Sequence, residues 1–93
     1  MAEVIVKDKF SIEIEEDALN DWEIMESFRE IDKGNVSAVV DVAPMLLGDE
    51  QYRRLKSEIK ETYGKVKLDY MVELITELIH KVKELKNLQS SPE

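Results

Sequence analysis

The chain begins with two short apolar runs of different texture. Val4, Ile5 and Val6 are β-branched and consecutive, whereas Phe10, Ile12 and Ile14 alternate with Ser11 and Glu13. Alternation places Phe10, Ile12 and Ile14 on one face of a strand and Ser11 and Glu13 on the other. Lys7-Asp8-Lys9 separates the runs, so residues of about 3–14 read as a hairpin or a pair of extended segments. Two strands alone are marginal in water, and these must lean on helices or on another chain.

From Asp17 onward the period changes to that of helices. Asp17 is the expected N-cap of a first helix that runs to Lys33 and stops at Gly34-Asn35. Ile24, Phe28 and Ile31 fall in one arc at about 100° per residue, while Leu19 and Trp22 point elsewhere. Either this helix buries two faces, or Trp22 covers the hairpin side of a single core. Val36 to Leu47 is apolar nearly all round and is expected to be the most buried element. Pro44 removes one of its hydrogen bonds, and Gly48 ends it. Asp49 is expected to cap a third helix with the stripe Tyr52, Leu55, Ile59 and Tyr63, which ends at Gly64. Lys65-Val66-Lys67 is a short extended link.

The fourth helix, from Leu68 or Asp69 to Asn87, is the longest. Leu68, Met71, Ile75, Leu78, Val82 and Leu85 form a heptad seam, which Val72, Leu74, Ile79 and Leu88 widen to about 160°. Such a stripe either exceeds what one small core covers or belongs to the central helix of the domain. The pattern as a whole predicts a mainly α, small four-helix domain preceded by a short N-terminal β-hairpin or extended segment. That domain occupies residues 1–88, with a flexible polar tail at 89–93.

Length and composition narrow the functional classes. A chain of 93 residues supports one modest core and little room for a deep cleft. It has no cysteine, which removes disulfides, thiolate chemistry and cysteine zinc sites. No run is long and apolar enough for a membrane span, and no secretory signal segment opens the chain, so a cytoplasmic protein is expected. The formal charge of −8 lies wholly between Glu13 and Asp32, where nine acids face Arg29 alone; from Asp49 to Glu93 nine acids balance nine bases. That segment repels phosphate backbones, which argues against nucleic-acid binding, and it suits either a solvated face or a basic partner.

Candidate chemistry is sparse. His80, the only histidine, shares the polar face of the last helix with Glu77 and Glu84. Two carboxylates and one exposed imidazole make at most a weak metal site. Glu15-Glu16-Asp17 with Asp21 lacks the glycine-bearing loop of a calcium cage. No nucleophile–base–orienter set can be assembled, and the three glycines stand singly rather than in a phosphate-binding loop. The expectation is a non-enzyme with no cofactor and no metal, acting through protein–protein contacts. The surplus apolar residues Trp22, Met71, Val72, Ile75 and Ile79 are its candidate partner or oligomer interface.

The order of signals also resembles a known family. Asp21-Trp22-Glu23 opens a helix that closes at Asp32-Lys33-Gly34-Asn35. A small-apolar helix then ends as Leu46-Leu47-Gly48-Asp49-Glu50-Gln51-Tyr52, and Gly64-Lys65-Val66 precedes a helix with Met71 in its first turn. Over roughly Phe10 to Leu85 this looks like the small tail assembly chaperones of long-tailed phages and prophages of Gram-positive bacteria. Pro44 departs from the helix formers usual there.

The resemblance implies a non-catalytic helper in the host bacterial cytoplasm, absent from the mature virion, and the surplus apolar width of the first and last helices suits its partner contact or a homo-oligomer interface. The helper would bind the tape measure protein and help recruit tail tube protein, in many cases through a frameshifted long form. In this chain such a form would diverge between Asn87 and Glu93. An acidic DNA-mimic inhibitor and an antitoxin-like regulator are the alternatives. A mimic usually spreads its charge over the whole molecule, and an antitoxin usually carries a basic DNA-reading segment.

Overall fold

The computed structural model describes residues 1–89, with side chains described as far as Leu85. Two strands, β1 (Ala2–Val6) and β2 (Phe10–Ile14), precede four helices: α1 (Trp22–Asp32), α2 (Ala38–Leu47), α3 (Asp49–Tyr63) and α4 (Leu68–Gln89). The fold is therefore a mainly helical four-helix domain behind a two-stranded hairpin, as the pattern predicts. Ser90–Glu93, most of the expected tail, lie outside the described residues.

The strands pair antiparallel with Val4 opposite Ile12 and Val6 opposite Phe10. Lys7 (φ 55) and Asp8 (φ 58) both adopt left-handed backbone, and Lys9 N–H donates to the Val6 carbonyl at 3.1 Å. Two successive positive φ values match the right-handed twist of the strands, so the turn accepts non-glycine strain in return for register. Val4, Val6, Phe10, Ile12 and Ile14 are all buried, and Glu3, Ile5, Ser11 and Glu13 face outward. Glu3 lies directly opposite Glu13, a like-charge pair, and the Ser11 hydroxyl donates to the Glu3 carboxylate beside it.

Gln51 of α3 closes part of the free edge of β2. Its amide oxygen accepts from Glu13 N–H at 2.8 Å, and its amide nitrogen donates to the Glu13 carbonyl at 2.9 Å and the Leu47 carbonyl at 3.0 Å. One side chain thus supplies what a third strand would supply at that residue.

Two expected caps are corrected. Asp17 does not start α1: residues 15–20 form turns, with Ala18 N–H on the Glu15 carbonyl and Asn20 N–H on the Asp17 carbonyl. Asp21 is the cap, its carboxylate accepting from Glu23 N–H at 2.9 Å and Ile24 N–H at 3.2 Å, an arrangement that stabilises a helix end by about 1 kcal/mol. Leu19 consequently packs on the core from a turn, not from the helix.

Likewise Asp49 is the first residue of α3 and makes no cap; Gly48, at φ 79, holds that position. Asp49 and Glu50 instead place negative charge on the first turn, where the helix dipole favours it. Gly64, at φ 88, ends α3 in the left-handed conformation with its N–H on the Lys60 carbonyl.

Six of the ten residues of α2 are buried, and its chain passes through Pro44 without stopping. The hydrogen bond lost there is the one Val40 would have accepted, and Val40 is exposed, so its carbonyl can turn to solvent. The core is the inner face of the hairpin, α2 and the seam of α4, with Leu55 and Ile59 from α3 and Ile24 from α1. Each such side chain contributes about 1.5–3 kcal/mol on burial.

Candidate functional site

The two flanks of α4 meet different surroundings. On one, the hairpin tip is fastened by polar contacts. Glu77 accepts from Lys7 backbone N–H at 2.9 Å and pairs with Lys81 at 3.2 Å. Lys81 also donates to the Ile5 carbonyl at 2.6 Å, and Lys7 Nζ pairs with Glu73 at 2.6 Å while lying 4.6 Å from the Tyr70 ring centroid. The Lys7 hydrogen bond, with help from Lys81, holds the Glu77 carboxyl below its ordinary acidity range against the opposing effect of burial. Burial first, then the hydrogen bond and charge of Tyr63 and the carboxylates of Glu73 and Glu77, push the Tyr70 hydroxyl up to about 12. Tyr63 and Tyr70 pack with ring centroids 5.3 Å apart. These perturbed groups belong to a structural clasp.

The other flank is open. Between α2, α3 and the start of α4 lies an apolar groove of about 250 Å³, walled by Val39, Val40, Ala43, Tyr52, Val66, Leu68 and Met71. Val40 is 56% exposed and Leu68 51%, while Tyr52 and Val66 are half-buried. Lys56, the one charged residue in the wall, holds its Nζ 4.3 Å over the Tyr52 ring. Further along α4 a smaller groove of about 120 Å³ separates it from α1, with Phe28, Ile31, Ile75 and Ile79 inside and Asp32, His80 and Lys83 among its lining. Val39 contributes to both. Val72, half-buried, lies on the same flank of α4 one turn beyond Leu68 and one turn before Thr76. The flank therefore presents an apolar strip along α4, deepest beside α2 and α3.

The sequence-derived interface residues separate into three groups. Met71 (7% exposed) and Ile75 (1%) are core residues that line the groove floors together with Val39 of α2. Neither can serve as a free contact surface, which corrects that expectation. Val72 and Ile79 are half-buried on the open flank. Trp22 is 79% exposed and covers no part of the core, because α1 starts with it and turns it away from Ile24 and Phe28. It stands near an acidic depression where Glu23, Glu26 and Glu30 of α1 meet Asp41 of α2.

Val40, Tyr52, Lys56, Val66 and Leu68 are the groove residues the sequence reading missed as a set. The all-round apolar character of α2 hid Val40, and Leu68 looked like the first residue of a buried seam. The clue was the apolar Val66 between two lysines in a link too short to bury it.

Among the described residues no charged or polar side chain is buried, and no three histidine or carboxylate residues gather where they could hold a metal ion. Among the described residues no helix is long and apolar enough to cross a membrane. Comparison of the chain with family profiles, with characterised proteins and with solved structures finds no match.

Proposed function

We propose that this chain is a non-catalytic tail assembly chaperone that binds the tape measure protein and helps recruit tail tube subunits as a phage tail is built. The observation that carries the binding half of this reading is the groove beside α4, where Val40 and Leu68 stand exposed over a floor of core residues. A groove between helices, lined by aliphatic side chains, suits an amphipathic helix that inserts residues spaced three and four apart. The assignment to tail assembly is supported by the resemblance of Asp21–Glu23, Asp32–Asn35, Leu46–Tyr52 and Gly64–Val66 to that family. In this reading the protein works in the host cytoplasm and is released before the virion is complete.

Co-expression tests it. The tape measure protein encoded beside this gene should be soluble when the chain is present and should co-purify with it. Val40→Asp with Leu68→Asp should abolish both effects while leaving the melting temperature nearly unchanged. A tape measure protein that stays insoluble with the wild-type chain sinks the proposal. Mass spectrometry of products from the native locus gives a second check: a minor species sharing this N-terminus and diverging near Asn87 is expected.

A further inference from the structure

The lysines with described side chains fall into two kinds. Lys7, Lys33 and Lys81 each stand within ion-pair distance of a carboxylate, at 2.6, 3.7 and 3.2 Å. Lys9, Lys56, Lys60, Lys65, Lys67 and Lys83 make no ion pair among the described residues; Lys83 lines the smaller groove, and the four from Lys56 to Lys67 lie in or beside the wall of the larger one. Lys56 is in the wall itself; Lys60 lies one turn further along the same side of α3, and Lys65 and Lys67 flank Val66. The opposite wall is neutral. It consists of Val39, Val40 and Ala43, and the one acid of α2, Asp41, lies on the far side of that helix against α1. The groove is thus positive along one rim only, in a protein whose net charge is −8.

We infer that the groove takes an apolar helical segment of another protein that carries carboxylates along one flank, turned toward α3 and the α3–α4 link. This rests on the reading that the chain binds helices, and it adds the chemistry and orientation of what is bound. The apolar face of the segment fills the space between Val40 and Leu68. Its carboxylates reach Lys56, which already sits over Tyr52, and then Lys65 and Lys67. Charge at the rim selects among helices with equal apolar faces, and it acts mainly on orientation and rate of encounter.

Three synthetic helices test this, sharing one leucine–alanine face and differing only in whether glutamate, glutamine or lysine lines one flank. Calorimetric titration into the intact protein should rank them glutamate, glutamine, lysine, with the first and last at least roughly tenfold apart at low salt and nearly level at 0.5 M salt, both figures about what several exposed ion pairs give. Lys56→Glu with Lys67→Glu should reverse the order, and because Lys67 is exposed and Lys56 only half-buried, with no ion pair at either among the described residues, the variant should melt within a few degrees of wild type. Val40→Asp should weaken all three.

Equal binding of the three helices overturns the charge selection and leaves the helix-binding reading standing. Binding of none overturns both. A groove already filled by a second copy would appear as a concentration-dependent mass lost in Val40→Asp, and that result also overturns the inference.

Discussion

The two flanks of α4 differ in both side chains and cover: the one that carries Glu73, Glu77 and Lys81 is sealed, and the one that carries Leu68, Val72 and Ile79 is not. Leu74, Leu78 and Val82 of α4 are fully enclosed, and on the flank facing the hairpin the seal is fastened by Glu73, Glu77 and Lys81. Along α2 and α3 the same helix leaves Leu68 exposed and Val72 and Ile79 half-covered. The difference in sealing lies in the covering element. A two-stranded hairpin has backbone groups at its edges that must be satisfied, and α4 supplies acceptor and donor at the right places, so apolar contact and polar fastening coincide. Helices α2 and α3 satisfy their own backbones. Among the described residues no polar contact joins the walls of the groove across Val40, Leu68 and Met71, and a groove remains.

The largest test of this contrast is within α4. Leu78→Ala should cost about 2–5 kcal/mol in chemical denaturation, since the side chain is fully enclosed, whereas Leu68→Ala should stay within about 0.5 kcal/mol. A comparable loss at Leu68 would mean the groove is closed in solution.

Glu77→Gln should come next, at about 1–3 kcal/mol, because it weakens the acceptor of Lys7 N–H and removes the charge facing Lys81. Its effect has a definite pH dependence. The folded pKa of Glu77 lies below its ordinary value of 4.5, so the stabilisation is complete above that value and is lost as pH falls through the folded one. Wild type and variant should therefore converge in stability on acidification, and amide exchange at Lys7 should accelerate in the variant at neutral pH.

Gln51→Ala should cost about 1–2 kcal/mol and expose Glu13 N–H to exchange, leaving α4 unaffected. Alkaline spectrophotometric titration should show Tyr70 ionising near 12. Because burial raises that value, the stabilisation from the neutral Tyr70 is present below pH 10 and declines as pH rises toward about 12. At the small end, Trp22→Ala should change stability by no more than about 0.5 kcal/mol. The fluorescence of the wild-type protein should report a water-exposed indole.

Much of the fold was legible because single-element periodicity decides it. The alternation of Phe10, Ile12 and Ile14 named the inner face of the hairpin, and Gly48 and Gly64 marked the helix ends. For the start of the first helix the pattern pointed to Asp17. The structure uses Asp21, because only its carboxylate reaches the free N–H groups of Glu23 and Ile24. The candidate site was half legible. Periodicity identifies how wide the apolar stripe of α4 is, but which residues become core depends on which neighbours arrive on which side. Met71 and Ile75 therefore could not be told from Val72 and Ile79. The clasp was not legible at all: nothing local links Lys7 to Glu77 or Gln51 to Glu13, since those partners meet only after the chain has folded back on itself.

That fold-back also sets a schedule for synthesis. Lys7 is bound by a residue 70 positions later, and the Ile5 carbonyl by one 76 positions later. At translation speeds of roughly 5–20 residues per second, the hairpin waits about 4–14 seconds on the ribosome before its cover has been made. During that interval Val4, Val6, Phe10, Ile12 and Ile14 have only α1, α2 and α3 to shelter them. Cooperative folding is thus postponed until α4 emerges, and a nascent chain stalled before Leu78 should remain protease-sensitive throughout.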